Sequence, residues 1–129
     1  MTEMLFFSPP NSSFSFPSTL IFYLFVPSMS VEEQLFEAAD GDRVSEVSSL
    51  LRDHPGINVN WTDSRQETSL HVASRNGHVE VVKLLLAHPD INVNLKSRFG
   101  DTSLSVACER GHVSVVQVLL KYPRVDVTG

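Results

Sequence analysis

Apolar residues recur along the chain in short runs that return at a fixed interval. Val79, Val82, Leu85 and Leu86 fall at helical spacing, and the run from Val113 to Leu120 repeats them. A shorter apolar segment with small residues precedes each run: Leu70, Val72 and Ala73, then Leu104, Val106 and Ala107. Small side chains let a neighbouring helix approach closely. Between the two segments stands Gly77 or Gly111, a residue that takes the left-handed conformation and ends a helix. Valine-rich runs also suit strands, so the periodicity alone leaves both open. The glycine before each run and the proline after it favour helices, because proline cannot continue a helix and drives its predecessor out of the α region. The asparagine-rich stretch that follows is extended or turning, since Asn readily bonds its own backbone.

Shifted by 34 residues, the sequence overlays itself. His54-Pro55-Gly56-Ile57-Asn58-Val59-Asn60 returns as His88-Pro89-Asp90-Ile91-Asn92-Val93-Asn94 and, more loosely, as the segment from Tyr122 to Thr128. Thr68-Ser69-Leu70 returns as Thr102-Ser103-Leu104, and Gly77-His78-Val79 as Gly111-His112-Val113. An earlier copy aligns at an offset of 35, placing Leu35, Ala38, Val44, Val47, Leu50 and Leu51 on Leu70, Ala73, Val79, Val82, Leu85 and Leu86, but its turn glycine, Gly41, falls one place early. Three units result, at 30–60, 61–94 and 95–129. One helical pair cannot bury its own apolar face, whereas stacked pairs can, and about three are needed. A continuous core joining Ala73, Val82 and Leu85 to Ala107, Val116 and Leu119 is expected. Ser30-Val31-Glu32-Glu33 fits a capping box at the first helix, with its acids at the positive dipole end.

The run Glu67-Thr68-Ser69-Leu70-His71-Val72-Ala73, followed by Gly77-His78-Val79-Glu80-Val81-Val82-Lys83-Leu84-Leu85-Leu86, resembles the ankyrin repeat. Gly100, Asp101-Thr102-Ser103-Leu104, Ala107, Gly111-His112 and Val115 to Leu120 carry the likeness into the third unit. It covers residues 30–129. The chain departs from the usual pattern at Ser69 and Ser103 (proline in the family), at Ser105 (the helix-opening histidine, kept as His71) and at Gln66 (the hairpin glycine, kept as Gly100). The link after the second helix is one residue longer than the common form.

The resemblance implies an all-α solenoid of stacked helix-turn-helix units with hairpin-like loops. Its hairpin tips and inner helices form a concave surface that binds partner proteins. Carried over by position, the exposed variable residues are Ser64, Arg65, Glu67, Arg75 and Asn76 in unit two, and Arg98, Phe99, Asp101, Glu109 and Arg110 in unit three. Arg98 and Phe99 are the expected anchors, because Arg and aromatic side chains dominate interface hot spots. The resemblance also marks Asn60 and Asn94 as positions that asparaginyl hydroxylases modify, with Leu86 eight residues before Asn94.

Composition narrows the alternatives. At 42% hydrophobic and 19% charged, the chain suits a packed protein rather than a disordered one. A net charge of -5 offers no basic footprint for nucleic acid. The five histidines lack cysteine or acid at ligand spacing, so they are read as structural, with no metal or other cofactor. Cys108, the single cysteine, is read as a buried and inert thiol among small apolar residues. A phosphate loop, paired catalytic carboxylates and a triad are all missing from the sequence, so a protein-binding role is expected rather than an enzyme. A cytoplasmic or nuclear setting fits the single cysteine.

Residues 1–28 are unlike the rest. They contain no Lys, Arg or His, and hold six of the eight Phe and four of the seven Pro. Their apolar run, Leu20 to Val26, is too short to span a bilayer, and neither a secretory nor a mitochondrial signal has its required basic residues. Met29, directly before the helix cap, is the expected true start, with residues 1–29 a non-domain tail. The alternative is a secreted or membrane-tethered protein using residues 5–26 as signal or anchor. At the other end, Val113, Val116 and Leu120 are expected to be partly exposed for want of a polar capping helix, as in a monomer or a piece of a longer array.

Overall fold

A computed structural model describes residues 29–124. Among these residues there are six helices and no strand: α1 (Val31–Asp40), α2 (Val44–Asp53), α3 (Ser69–Arg75), α4 (Val79–Leu86), α5 (Ser103–Arg110) and α6 (Val113–Lys121). The first helices of the units, α1, α3 and α5, pack side by side in one layer, and α2, α4 and α6 in a second. The tail at residues 1–28, with the alternative anchor or signal at 5–26, lies outside the described residues, as does the end of the third linker. No helix of the described residues is long and apolar enough to cross a membrane.

The caps explain where the first helices begin. Ser30 Oγ accepts the Glu33 N–H at 3.1 Å, and Glu33 Oε1 accepts the Ser30 N–H at 3.0 Å. Thr68 and Thr102 open α3 and α5 in the same reciprocal way, closed by His71 and Ser105. Each cap satisfies N–H groups that the helix itself leaves unpaired.

The turns follow the repeat, with two substitutions of residue type. Gly77 and Gly111 sit at φ 75° and 74°. In unit one Gly41 has φ -90°, and Asp42 takes the left-handed place at φ 57°. That is the outcome of the one-residue displacement seen in the sequence, and Asp tolerates this region better than most residues. At the hairpin tips Gly100 has φ 82°, whereas Gln66, its counterpart, is held at φ 61°. A left-handed non-glycine residue costs about 1–2 kcal/mol, and part of that gain is returned through the greater chain entropy of glycine when unfolded. Gln66→Gly is therefore expected to stabilise the fold by roughly 0.5–1 kcal/mol. A higher urea midpoint is the check, and a lower one refutes the strain.

The core is continuous, as the stacking required. Leu35, Val47, Leu70, Ala73, Val82, Leu85, Ala107 and Leu119 are buried in one cluster, with Val116 half-buried at its rim. Val113 and Leu120 are 64% and 50% exposed, in keeping with the sequence. Cys108 corrects it: the thiol expected to be buried is exposed. Its repeat counterparts Ala39 and Ser74 are buried. They lie in first helices that pack against the first helix of the following unit, and among the described residues no such helix stands against α5.

Candidate protein-binding surface

The hairpin tips of units two and three are built alike. In unit two, Asp63 Oδ1 accepts the N–H groups of Arg65 and Glu67 at 2.9 and 3.0 Å. In unit three, Ser97 Oγ accepts those of Phe99 and Asp101 at 3.2 and 3.4 Å. The Arg98 N–H then donates to the Arg65 carbonyl at 3.0 Å, and its guanidinium donates to the Ser64 carbonyl at 2.8 Å. Two adjacent tips are thereby locked together, and Phe99 projects from them with 70% of its surface exposed.

An open cavity of about 280 Å3 lies beside these tips. Arg65, Glu67, Arg75, Phe99, Asp101 and Arg110 line it, together with Val106 and Glu109. Seven of the ten residues assigned from the sequence, Glu109 among them, thus converge on one hollow. Arg98 stands outside it and braces the tip instead. Val106, at the cavity's apolar edge, was read only as core. Asn76 points elsewhere: its amide donates to Asp40 Oδ1 at 2.9 Å, tying unit two to unit one. A second, larger cavity, about 510 Å3, lies on unit one among Gln34, Val44, Glu46, Leu50 and Asp53, and no aromatic residue lines it.

Glu67 corrects the expectation that it is exposed, because only 6% of it reaches solvent. Arg75 Nη1 lies 2.5 Å from Glu67 Oε2. Glu67 Oε1 makes no hydrogen bond and has only a 3.5 Å ionic contact with Arg65, which also reaches Asp63. Glu67 therefore forms the floor of the cavity and fixes Arg75, itself half-buried, in its wall.

Three of the five histidines join one unit to the next. His71 Nδ1 accepts the Thr68 N–H at 3.1 Å, while its Nε2–H donates to the Asp101 carbonyl of the next unit at 2.8 Å. His78 Nε2–H donates to the Asp40 carbonyl at 3.0 Å, and His112 repeats that bond to Arg75 at 2.8 Å. No group of three or more His, Cys, Asp or Glu among the described residues is placed to hold a metal. Asn60, one of the two expected hydroxylation positions, donates its amide to the Asp90 carbonyl at 2.8 Å and accepts the Asn92 N–H at 2.8 Å. Asn94 donates to the Arg124 carbonyl at 2.9 Å. Both side chains bridge successive linkers.

Burial holds the His71 pKa below its usual 6.5, and Arg75 lowers it further, against the raising effects of the Asp101 carbonyl and of Glu67. The unfolded chain consequently takes up this proton at a higher pH than the folded chain. The contribution is complete above about 6.5 and is lost as pH falls through the folded-state value. Urea midpoints taken from pH about 7.5 down to about 5.5 are expected to fall. The fall is shallower in His71→Ser, which copies the Ser105 solution of unit three, where Ser105 Oγ accepts the Thr102 N–H at 2.9 Å. Equal slopes in the two proteins refute the assignment.

The family model for ankyrin repeats, in three copies, matches residues 35–129. The chain belongs to the ankyrin-repeat family. No curated protein matches it. Ankyrin repeats generally mediate protein–protein interaction.

Proposed function

We propose that the chain binds a partner protein on the surface formed by its hairpin tips and inner helices, centred on the cavity beside Phe99. The observation that carries this reading is the exposure of Phe99, 70%, on a tip braced by Arg98. A large apolar ring held out in water on a braced loop fits a preformed anchor, whose ordering is largely complete before binding. Arg65, Arg75 and Arg110 on one side and Asp101 and Glu109 on the other add polar contacts of both signs around it. A partner segment with its own apolar anchor and mixed charge fits such a hollow. The chain acts by holding its partner, with no chemical step.

The full chain, immobilised, is expected to retain a partner that an Arg98→Ala, Phe99→Ala double variant releases. Hot-spot residues cost about 2 kcal/mol or more when truncated, so affinity is expected to fall at least about 30-fold. Circular dichroism unchanged between the two proteins confirms that the fold is intact. Equal affinity of the double variant for the retained partner removes the tip from the binding surface.

A further inference from the structure

Of the six asparagines in the chain, Asn76 alone precedes a glycine. That order of residues favours attack of the main-chain nitrogen on the side-chain amide, because glycine has no Cβ to obstruct the approach and turns freely. The fold cannot exchange this glycine for a slower neighbour. Gly77 stands at φ 75°, and a Cβ there would lie 2.7 Å from His112 Nδ1. His112 is the ring that bonds the Arg75 carbonyl across the junction to unit three. At the counterpart Gly111 such a Cβ meets nothing, and the preceding residue is Arg110. Unit two therefore carries a reactive pair that its own packing requires.

Asn76 is exposed and caps the carboxyl end of α3. Its amide donates to Asp40 Oδ1 at 2.9 Å and to the Asp40 carbonyl at 3.5 Å. The Nε2–H of His78 donates to the same carbonyl at 3.0 Å. Asp40 is thus a point at which unit one holds the turn of unit two. The Gly77 N–H donates to the Ser74 carbonyl at 3.3 Å, a long bond of its kind. While the junction is closed, both reacting groups of the Asn76–Gly77 pair are engaged.

We propose that Asn76 is a spontaneous deamidation site, with water as co-reactant, and that its conversion to an acid loosens unit one from unit two. The Gly77 nitrogen attacks Asn76 Cγ. A carbon–nitrogen bond forms, the bond from Cγ to the amide nitrogen breaks, and ammonia leaves with the proton from the Gly77 nitrogen. Water then opens the cyclic imide at Cγ to give aspartate, or at the main-chain carbonyl to give isoaspartate. Nothing is oxidised or reduced, and either product carries a carboxylate that the chain lacked. Aspartate sets an acceptor where the amide donated, against Asp40 Oδ1, and two carboxylates so close oppose one another. It also adds negative charge at the carboxyl end of α3, against the helix dipole. Isoaspartate lengthens the main chain just before Gly77 and His78, and so shifts the His78 bond to Asp40. Attack follows local opening of the junction, and the conversion then makes reclosing less favourable.

Peptide mapping by mass spectrometry tests the site, on the full chain aged at mildly alkaline pH in buffer and in urea. Conversion is expected at Asn76 ahead of the other five asparagines, as a mixture of aspartate and isoaspartate, and faster in urea. Asp40→Ala frees the amide and is expected to speed conversion in buffer by about threefold or more. An Asn76 intact in buffer when the urea sample is fully converted overturns the site, as does an unchanged rate in Asp40→Ala. Hydrogen exchange tests the consequence. In Asn76→Asp the amides of α1 and α2 are expected to exchange about threefold faster or more. Adding Asp40→Asn, whose amide can donate to the new carboxylate, is expected to reverse this by more than it slows exchange in the unsubstituted chain. Unchanged exchange in Asn76→Asp, or no such reversal, overturns the loosening.

Discussion

Leu85→Ala is expected to lower folding stability by about 2–5 kcal/mol and to leave much of the chain unfolded at room temperature. Leu85 is fully buried in the middle unit, on α4, the helix that packs against both α2 and α6. Truncation removes its apolar area and leaves a hole that flanking helices fill only in part. A domain holds only about 5–15 kcal/mol in total, and three units stand near the lower limit for a stack. Leu120→Ala is the internal control: its side chain is 50% exposed, and a surface substitution of this kind costs about 0.5 kcal/mol. Urea unfolding followed by circular dichroism measures both. Costs equal within about 0.5 kcal/mol would mean that the core is not shared across units.

Removing one arginine is expected to be almost as damaging. Arg75 holds the carboxylate of Glu67, which is 6% exposed. Arg75→Ala leaves that charge buried, with only the 3.5 Å contact to Arg65. Breaking a fully buried pair costs about 3–5 kcal/mol, and the partial exposure of Arg75 reduces this to roughly 2–3 kcal/mol. Adding Glu67→Ala to that variant is expected to recover stability, because the stranded charge is what costs. Equilibrium unfolding of the two single variants and the double variant gives the coupling directly. A double variant no more stable than Arg75→Ala alone would refute the account. The bond from His112 is to the Arg75 carbonyl and survives in every variant.

The sequence made the architecture legible wherever a signal repeats. Gly77 and Gly111 at the turns, Thr68 and Thr102 at the caps, and Val82 and Leu85 in the core each recur at the unit spacing, and each stands where that spacing places it. Even the displaced Gly41 was visible, and Asp42 is the residue that absorbs the displacement. What escaped depends on neighbours in space. Glu67 was assigned to the surface by its place in the unit. Its burial depends on Arg75, eight residues away across the start of a helix, a spacing that belongs to no periodic pattern. Cys108 was assigned to the core by its small apolar companions, but its buried counterparts Ala39 and Ser74 lie in first helices packed against the first helix of the following unit. The convergence of Arg65, Glu67, Arg75, Phe99, Asp101 and Arg110 on one cavity was carried by the family resemblance, since nothing in their spacing joins two units.

The bond from His78 to the carbonyl of Asp40 recurs from His112 to that of Arg75, and buried valines stand at both junctions. Each junction therefore uses the same set of parts. A copy of unit two inserted between units two and three keeps the histidine-to-carbonyl bond and the buried valines on both sides and gives up only the Asn76 bond to the Asp40 side chain, so the gene can lengthen this array from within by duplication, with joints mostly of the kind it already has. Growth ahead of unit one has no such ready-made joint, because Glu37 and Glu46 occupy the places that the inserted copy's neighbour would need apolar.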